Sequence, residues 1–271
     1  MTPIRIDDPD DPRIAGYRDI READLVGRDG LFIAEGEVVL RVLLRQSRHA
    51  PVSLLIDAKR IERLAPLLAA APEGAPVYCA GQSVLDAIVG FPIHRGVLAL
   101  GRRAPEPSTE ALLASLPDEA LVMALFGIAN HDNLGGLLRN AAGFGVAAVL
   151  LDAHCCNPLY RKAIRVSVGG ALITPIARLA PDEDPIAMFD RHGIQPVALT
   201  PRAPRRLIDL ARAPRTALLL GAEGPGLADD LIARSTAVSI PMCAGFDSLN
   251  VATTSGIALH HLAFGAVRRG V

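Results

Sequence analysis

The chain has 271 residues, 50% of them hydrophobic and 21% charged, with 28 basic residues set against 29 acidic ones for a net charge of −1. That length suits two domains of roughly 100–150 residues, the apolar content excludes wholesale disorder, and the balanced charge lacks the overall basic footprint of a nucleic-acid binder. The four cysteines (Cys79, the adjacent Cys155 and Cys156, and Cys243) form no C-x-x-C and the seven histidines no H-E-x-x-H, so neither a disulfide framework nor a metal site is expected.

In chain order, the opening "MTPIRIDDPDDPRIAGY" is acidic and proline-spaced, unlike a signal peptide. No apolar stretch reaches the ~18–20 residues of a membrane span, so a cytoplasmic protein with no membrane partner is expected. "LFIAEGEVVLRVLLRQ" (31–46) is predicted as a helix, "VSLLIDA", "PVYCA" and "RGVLALG" as short strands, and "IERLAPLLAA" and "QSVLDAIVG" as helices between them. That alternation predicts a small α/β domain over 1–103. "RRAPEPSTEALLASLPDEA" (102–120) carries three prolines and reads as a linker, centred on 104–117, with one short helix.

From 118 to 271 the rhythm repeats with longer apolar runs. "ALVMALFG" leads into "NLGGLLRNAAGFG", then "VAAVLLD", a helix near 158–168, "ALITPIARL", a helix near 184–192, "QPVALT", "TALLLG", "STAVSIP" and a final helix from about Ser248 to Val267. Fully apolar strands alternating with helices predict an α/β fold with a mostly parallel sheet covered on both faces. There is no G-x-G-x-x-G after the first of these strands and no G-x-x-x-x-G-K, so the usual dinucleotide and triphosphate fingerprints are absent.

Three stretches carry chemistry. In "NLGGLLRNAAGFG" (133–145), Leu134, Leu137, Leu138, Ala141 and Ala142 share one helix face. Arg139 projects about 140° from Leu134, over Gly135 and Gly136. Each glycine costs up to ~1 kcal/mol relative to alanine, and open space around the guanidinium would explain it. Asn133 sits where an N-cap belongs. Taken alone, the stretch fits a surface arginine on a glycine-tolerant helix equally well. In "LLLGAEGPGL" (218–227), Gly221, Gly224 and Gly226 surround Glu223 at a strand's C-terminal end, where open α/β sheets bind ligands; a tight turn is the plain alternative. In "SIPMCAGFDSLNVATTSGIALHH" (239–261) the strand ends at Ile240 before Pro241, and a loop leads to a helix that Ser248 could cap. Ordinary capping accounts for that stretch by itself.

Charge alone does not point to RNA. Arg202, Arg205, Arg206, Arg212 and Arg215 lie within 14 residues, and Arg161, Lys162 and Arg165 form a second cluster; both read as solvated surface until something else implicates a polyanion.

Together, N-x-G-x-x-x-R, then G-x-E-x-x-G, then I-P-M…S-L-N-V, each after an apolar strand, resemble the three motifs of SpoU-type (TrmH family) RNA 2′-O-ribose methyltransferases. "RKAIRVSVGGALITPI" (161–176) is similar to that family's R-x-S-x-G-A segment, and "GLFIAEGEVVLRVLL" to the start of the small RNA-binding domain many members carry. The resemblance implies a SPOUT fold with a deep trefoil knot, S-adenosyl-L-methionine as methyl donor without a metal, an RNA substrate (ribosomal before transfer RNA), and a homodimer with its active sites at the interface. It implies a cofactor pocket of Thr200, Gly221, Gly226, Ile240, Met242 and Leu249. It assigns catalysis to Arg139, helped by Asn133, Glu223, Ser248 and Asn250. Two departures stand out: Asn130-His131 where the family usually has Asp-Pro, and Ala252, Thr253 and Thr254 where serine and alanine often follow S-L-N-V. The competing reading is a non-catalytic RNA-binding or ribosome-assembly protein on the same scaffold. Under the transferase reading, larger side chains at Gly135 or Gly136 should harm methylation more than stability.

Overall fold

The structure is a computed structural model that describes residues 2–18, 22–27, 30–89, 96–243 and 248–265. They form two compact units, Met1–Pro105 with Pro158–Ile173, and Glu106–Asn157 with Thr174–Val271.

The first unit is built on a mixed sheet of β1 (Ile4–Ile6), β2 (Leu31–Glu35), β3 (Ala50–Asp57), β4 (Val77–Ala80) and β5 (Val97–Arg102), in the order β1-β4-β3-β5-β2. β1, β4 and β3 run parallel, whereas β5 is antiparallel to both β3 and β2. Helices α1 (Glu22–Gly27), α2 (Glu37–Arg45), α3 (Ile61–Leu68) and α4 (Gln82–Val89) connect the strands.

The single helix expected over 31–46 is therefore a strand followed by a helix. Gly36, at φ 98, breaks the two apart, in a region of backbone space open chiefly to glycine. Phe32 pairs across to Gly101, and its ring occupies the space where a Cβ on Gly101 would stand.

The second unit holds six strands: β6 (Ala120–Phe126), β7 (Ala148–Leu151), β8 (Ile176–Arg178), β9 (Gln195–Leu199), β10 (Arg215–Gly221) and β11 (Thr236–Val238). Their order is β11-β9-β10-β6-β7-β8, and every neighbouring pair is parallel. The apolar runs of β6 and β10 are buried throughout their centres, as a sheet covered on both faces requires. The mostly parallel α/β architecture expected for this half is thus observed.

α5 (Thr109–Ala114) is the short helix expected between the two halves. Ser108 caps it by accepting from the Ala111 N–H at 3.2 Å, and Leu112, Leu113 and Leu116 enter the second core. The expected strand "ALITPIARL" divides into α8 (Gly170–Ile173) and β8. Pro175 accounts for the division, because the residue before a proline is driven out of the helical region. α7 (Arg161–Val166) and α8 pack within the first unit, where the Arg165 guanidinium lies 3.5 Å from the buried Glu35 carboxylate. The remaining helices are α6 (His131–Gly143), α9 (Pro185–Arg191), α10 (Asp229–Ala233) and α11 (Val251–Phe264).

Candidate active site

The turn from β6 into α6 is held from below by one carboxylate. Asp152 accepts from the Gly127 N–H at 3.0 Å, from His154 N–H at 3.1 Å and from Cys155 N–H at 2.9 Å. The Cys155 thiol donates to the Leu125 carbonyl and accepts from Ile128 N–H, each at 3.3 Å. Burial, reinforced by Asp152, pushes that thiol up to about 12, so it stays a neutral donor. The Cys155 thiol thus serves this turn, and from Cys156 the backbone N–H joins it by donating to the Ile128 carbonyl at 2.9 Å.

Asn130, and not Asn133, caps α6: its side chain accepts from Asp132 N–H at 2.7 Å and Asn133 N–H at 3.3 Å. Asn133 is the third residue of the helix, which frees its amide to reach outward. The signal was present, since Asn130 is itself a good capping residue, but a cap at 133 suited the start of the apolar stripe equally well.

A cavity of about 470 Å³ opens at the C-terminal ends of β9, β10 and β11. This is the edge at which parallel α/β sheets take ligands, and the volume falls in the range of small-molecule sites. Its walls include all six positions assigned to a cofactor: Thr200, Gly221, Gly226, Ile240, Met242 and Leu249. Leu199, Leu220 and Val251 add apolar wall, and Thr254 adds a hydroxyl. None of these four had been given a role, although Val251 closes S-L-N-V and Leu220 directly precedes Gly221.

The glycine loop has a steric cause. A Cβ on Gly221 would overlap the Gly226 carbonyl and the Leu227 nitrogen, because the loop folds back over the strand end. The Gly226 N–H closes that fold on the Ala222 carbonyl at 3.0 Å, and Gly224 and Gly226 take φ of 90 and 72. The result is a cradle of close backbone that side chains do not fill.

Glu223, Ser248 and Asn250 also line the cavity. The Asn250 amide donates to Asn133 Oδ1 at 2.8 Å and to Glu223 Oε1 at 3.1 Å. Three motifs distant in sequence therefore meet at one side chain. Asn250 caps α11 as well, accepting from Ala252 N–H at 2.9 Å and Thr253 N–H at 3.3 Å. The cap expected at Ser248 thus falls two residues later, and α11 starts at Val251.

Two assigned residues are absent from the cavity wall: Asn133, which joins it through Asn250, and Arg139, for which no such link is seen among the described residues. Arg139 is exposed on α6. The glycines beside it do not open space for it. Gly135 is buried, and a Cβ on Gly136 would stand 2.6 Å from the Ala252 Cβ, so Gly136 lets α6 and α11 approach closely. That corrects the expectation of a glycine face cleared for the guanidinium.

The arginine-rich run is largely structural. Arg212 is buried and donates to the carbonyls of Leu262 (2.6 Å), Ala213 (3.1 Å) and Pro214 (2.8 Å). Arg215 donates to the carbonyls of Leu116, Pro117 and His192, and Arg206 pairs with Asp209 at 2.7 Å. The guanidinium of Arg206 draws the Asp209 carboxyl below its ordinary range. Among the described residues no group of three or more His, Cys, Asp or Glu could hold a metal ion, and no helix is long and apolar enough to cross a membrane.

Comparison with known proteins adds relatives to this geometry. The model of the SpoU rRNA Methylase family matches residues 120–260. An uncharacterized tRNA/rRNA methyltransferase of Mycobacterium bovis is 41% identical over 263 residues, covering 93% of this chain and 89% of that one. The 23S rRNA (guanosine-2′-O-)-methyltransferase RlmB of Escherichia coli K12 is 31% identical over 226 residues, covering 79% and 88%. Among solved structures, an AdoMet-bound rRNA methyltransferase from Sinorhizobium meliloti shares the fold at TM-score 0.77 and 22% identity, covering 96% of each chain. An RNA 2′-O ribose methyltransferase aligns at TM-score 0.76 and 25% identity, covering 96% of this chain and 98% of that one.

Proposed function

The chain belongs to the SpoU rRNA methylase family, and from that premise we propose that it methylates a ribose 2′-hydroxyl of RNA, ribosomal before transfer RNA, using S-adenosylmethionine in the cytoplasm. The observation that carries this reading is the meeting of Asn133, Glu223 and Asn250 at the mouth of the strand-end cavity. The two relatives of highest identity described above are named as RNA methyltransferases, one of them for 23S rRNA.

The cavity suits the donor. Its apolar walls of Leu199, Leu220, Ile240 and Leu249 fit an adenosine, and the backbone cradle at Gly221–Gly226 allows close approach without side chains in the way. Bound there, S-adenosylmethionine supplies a methyl group already activated by its sulfonium. The protein then has to align the nucleophile and stabilise charge as its proton leaves. Asn250 and Asn133 orient polar groups at the mouth, with Glu223 and Ser248 beside them. Arg139 positions the ribose-phosphate and stabilises the emerging alkoxide, the 2′-hydroxyl being the group that separates RNA from DNA.

Because Arg139 stands outside the cavity wall of its own chain, the reading needs a homodimer, in which the partner's Arg139 completes the site. An exposed apolar face supports it: Phe264 and Ile257 are 74% and 43% exposed, and the rings of Phe144, His260 and Phe264 pack edge-on or tilted, with centroids 5.4–6.4 Å apart. Such a face suits a second copy. The first unit binds the RNA substrate in this reading, with 104–117 as its connection to the catalytic half, and the C-terminal part of the second unit threads into a deep trefoil knot.

The test pairs calorimetric titration of S-adenosylmethionine with label transfer to RNA. The wild type should bind and transfer. Arg139→Ala should still bind but lose about 100-fold or more in transfer. Undiminished transfer by that variant rejects its role, and binding without transfer by the wild type favours a non-catalytic RNA-binding protein.

A further inference from the structure

Asn140 lies seven residues after Asn133, two helical turns along the same face of α6. Gly136 sits between them on that strip and meets Ala252. The Asn140 amide donates to the Ala252 carbonyl at 2.7 Å and to the Ser255 hydroxyl at 2.9 Å. The fully buried Ser255 in turn donates to the same carbonyl at 2.8 Å. Ala252 is therefore held at both ends of its backbone, its carbonyl by Asn140 and its N–H by Asn250. Its methyl rests where only glycine fits opposite.

We propose that Asn140 is a positioning residue for methyl transfer: it locks the first turn of α11 in register against α6, and through Ala252 it sets the Asn250 amide between Asn133 and Glu223. The inference rests on the methyltransferase reading above. Polar groups on helices crossing this closely constrain sliding along the axis in a way that apolar contact alone does not, because a shift of one residue would strand both amide protons. Asn250 also lines the cavity beside Val251 and Thr254, so a loosened first turn would reach the donor site and the catalytic amide together. The same contact fixes the rotation of α6 and hence the direction of the neighbouring Arg139.

The experiment uses the full chain with Asn140→Ala and Asn140→Asp, the second keeping the shape but losing both N–H donors. At a temperature where circular dichroism shows each variant folded, kcat should fall about tenfold with KM for RNA unchanged. Amide exchange at Ala252 and Thr253 should accelerate about tenfold while the later turns of α11 keep their protection. In the wild type, the two Asn140 side-chain amide protons should themselves be protected from exchange, a measurement that needs no variant to fold. A kcat within twofold of wild type in both folded variants, unchanged exchange at Ala252 and Thr253, or freely exchanging Asn140 side-chain protons each overturns the proposal. Inactivity of the wild type overturns the transferase reading instead, and the exchange data then still decide whether Asn140 holds α11.

Discussion

In the first unit β5 runs antiparallel to both of its neighbours, so strand ends face both edges of the sheet; in the second, six parallel strands open all their C-terminal ends on one edge. Polar groups follow that difference. In the first unit they are consumed internally: the Tyr17 hydroxyl sits 2.7 Å from Ser53 Oγ and accepts from Leu100 N–H at 3.2 Å, and Asp57 turns back on the Lys59 N–H at 3.0 Å. In the second unit Glu223, Ser248 and Asn250 stay exposed at a cavity mouth. A parallel sheet concentrates backbone ends, glycine loops and helix starts at one place, and that is where chemistry can be assembled from distant sequence.

The largest expected effect breaks the cavity. Gly221→Ala forces the loop off the strand end, at about 2–3 kcal/mol of overpacking, and should weaken S-adenosylmethionine binding roughly 30- to 100-fold by calorimetry. Arg212→Leu separates scaffold from site within the same unit. It strands the carbonyls of Leu262, Ala213 and Pro214, and should lower unfolding free energy by about 2–3 kcal/mol in urea titration, with kcat of the folded protein unchanged. A parallel loss of kcat would mean that the last turn of α11 is coupled to catalysis.

Gly136→Ala follows. Overpacking against Ala252, partly offset by better helix propensity, should cost about 1–2 kcal/mol. Thermal melting should register this change at least as clearly as methylation does, the reverse of what a glycine face cleared for Arg139 would give.

The smallest effect lies in the first unit and is visible only in acid. Burial, with Arg48 and Arg103 nearby, pulls His49 down from 6.5 to about 4, and its ring accepts the Ala104 N–H at 3.0 Å. Between those values the unfolded chain takes up a proton that the folded one refuses, so stability should be flat above pH 6.5 and decline as pH falls toward 4. His49→Gln, which can still accept that N–H, should flatten the decline; an unchanged pH profile would assign it elsewhere.

Legibility in the sequence followed length and repetition. β6, β9 and β10 were readable because apolar runs of five to seven residues bounded by turn signals admit few other readings. β2 was hidden because Leu31–Glu35 runs into α2 with only Gly36 between them, and the three-residue β1 is too short to show a period. Most of the site was legible because motifs constrain residue types. The caps at Asn130 and Asn250 were misplaced by two or three residues, since several adjacent side chains could each cap. The role of Gly136 was invisible because Ala252, the residue it accommodates, lies far away on another helix. The arginine run could not be sorted from sequence either, because nothing local shows that Arg212 donates to a carbonyl 50 residues on.

The central claim is that this site moves a methyl group onto a ribose. The most direct test incubates wild-type protein with methyl-labelled S-adenosylmethionine and unmodified ribosomal RNA, then hydrolyses the RNA in alkali. Label should be retained in an alkali-resistant dinucleotide, the mark of a blocked 2′-hydroxyl, and should be lost with Arg139→Ala. Label released on mononucleotides, and so carried on a base, would contradict it.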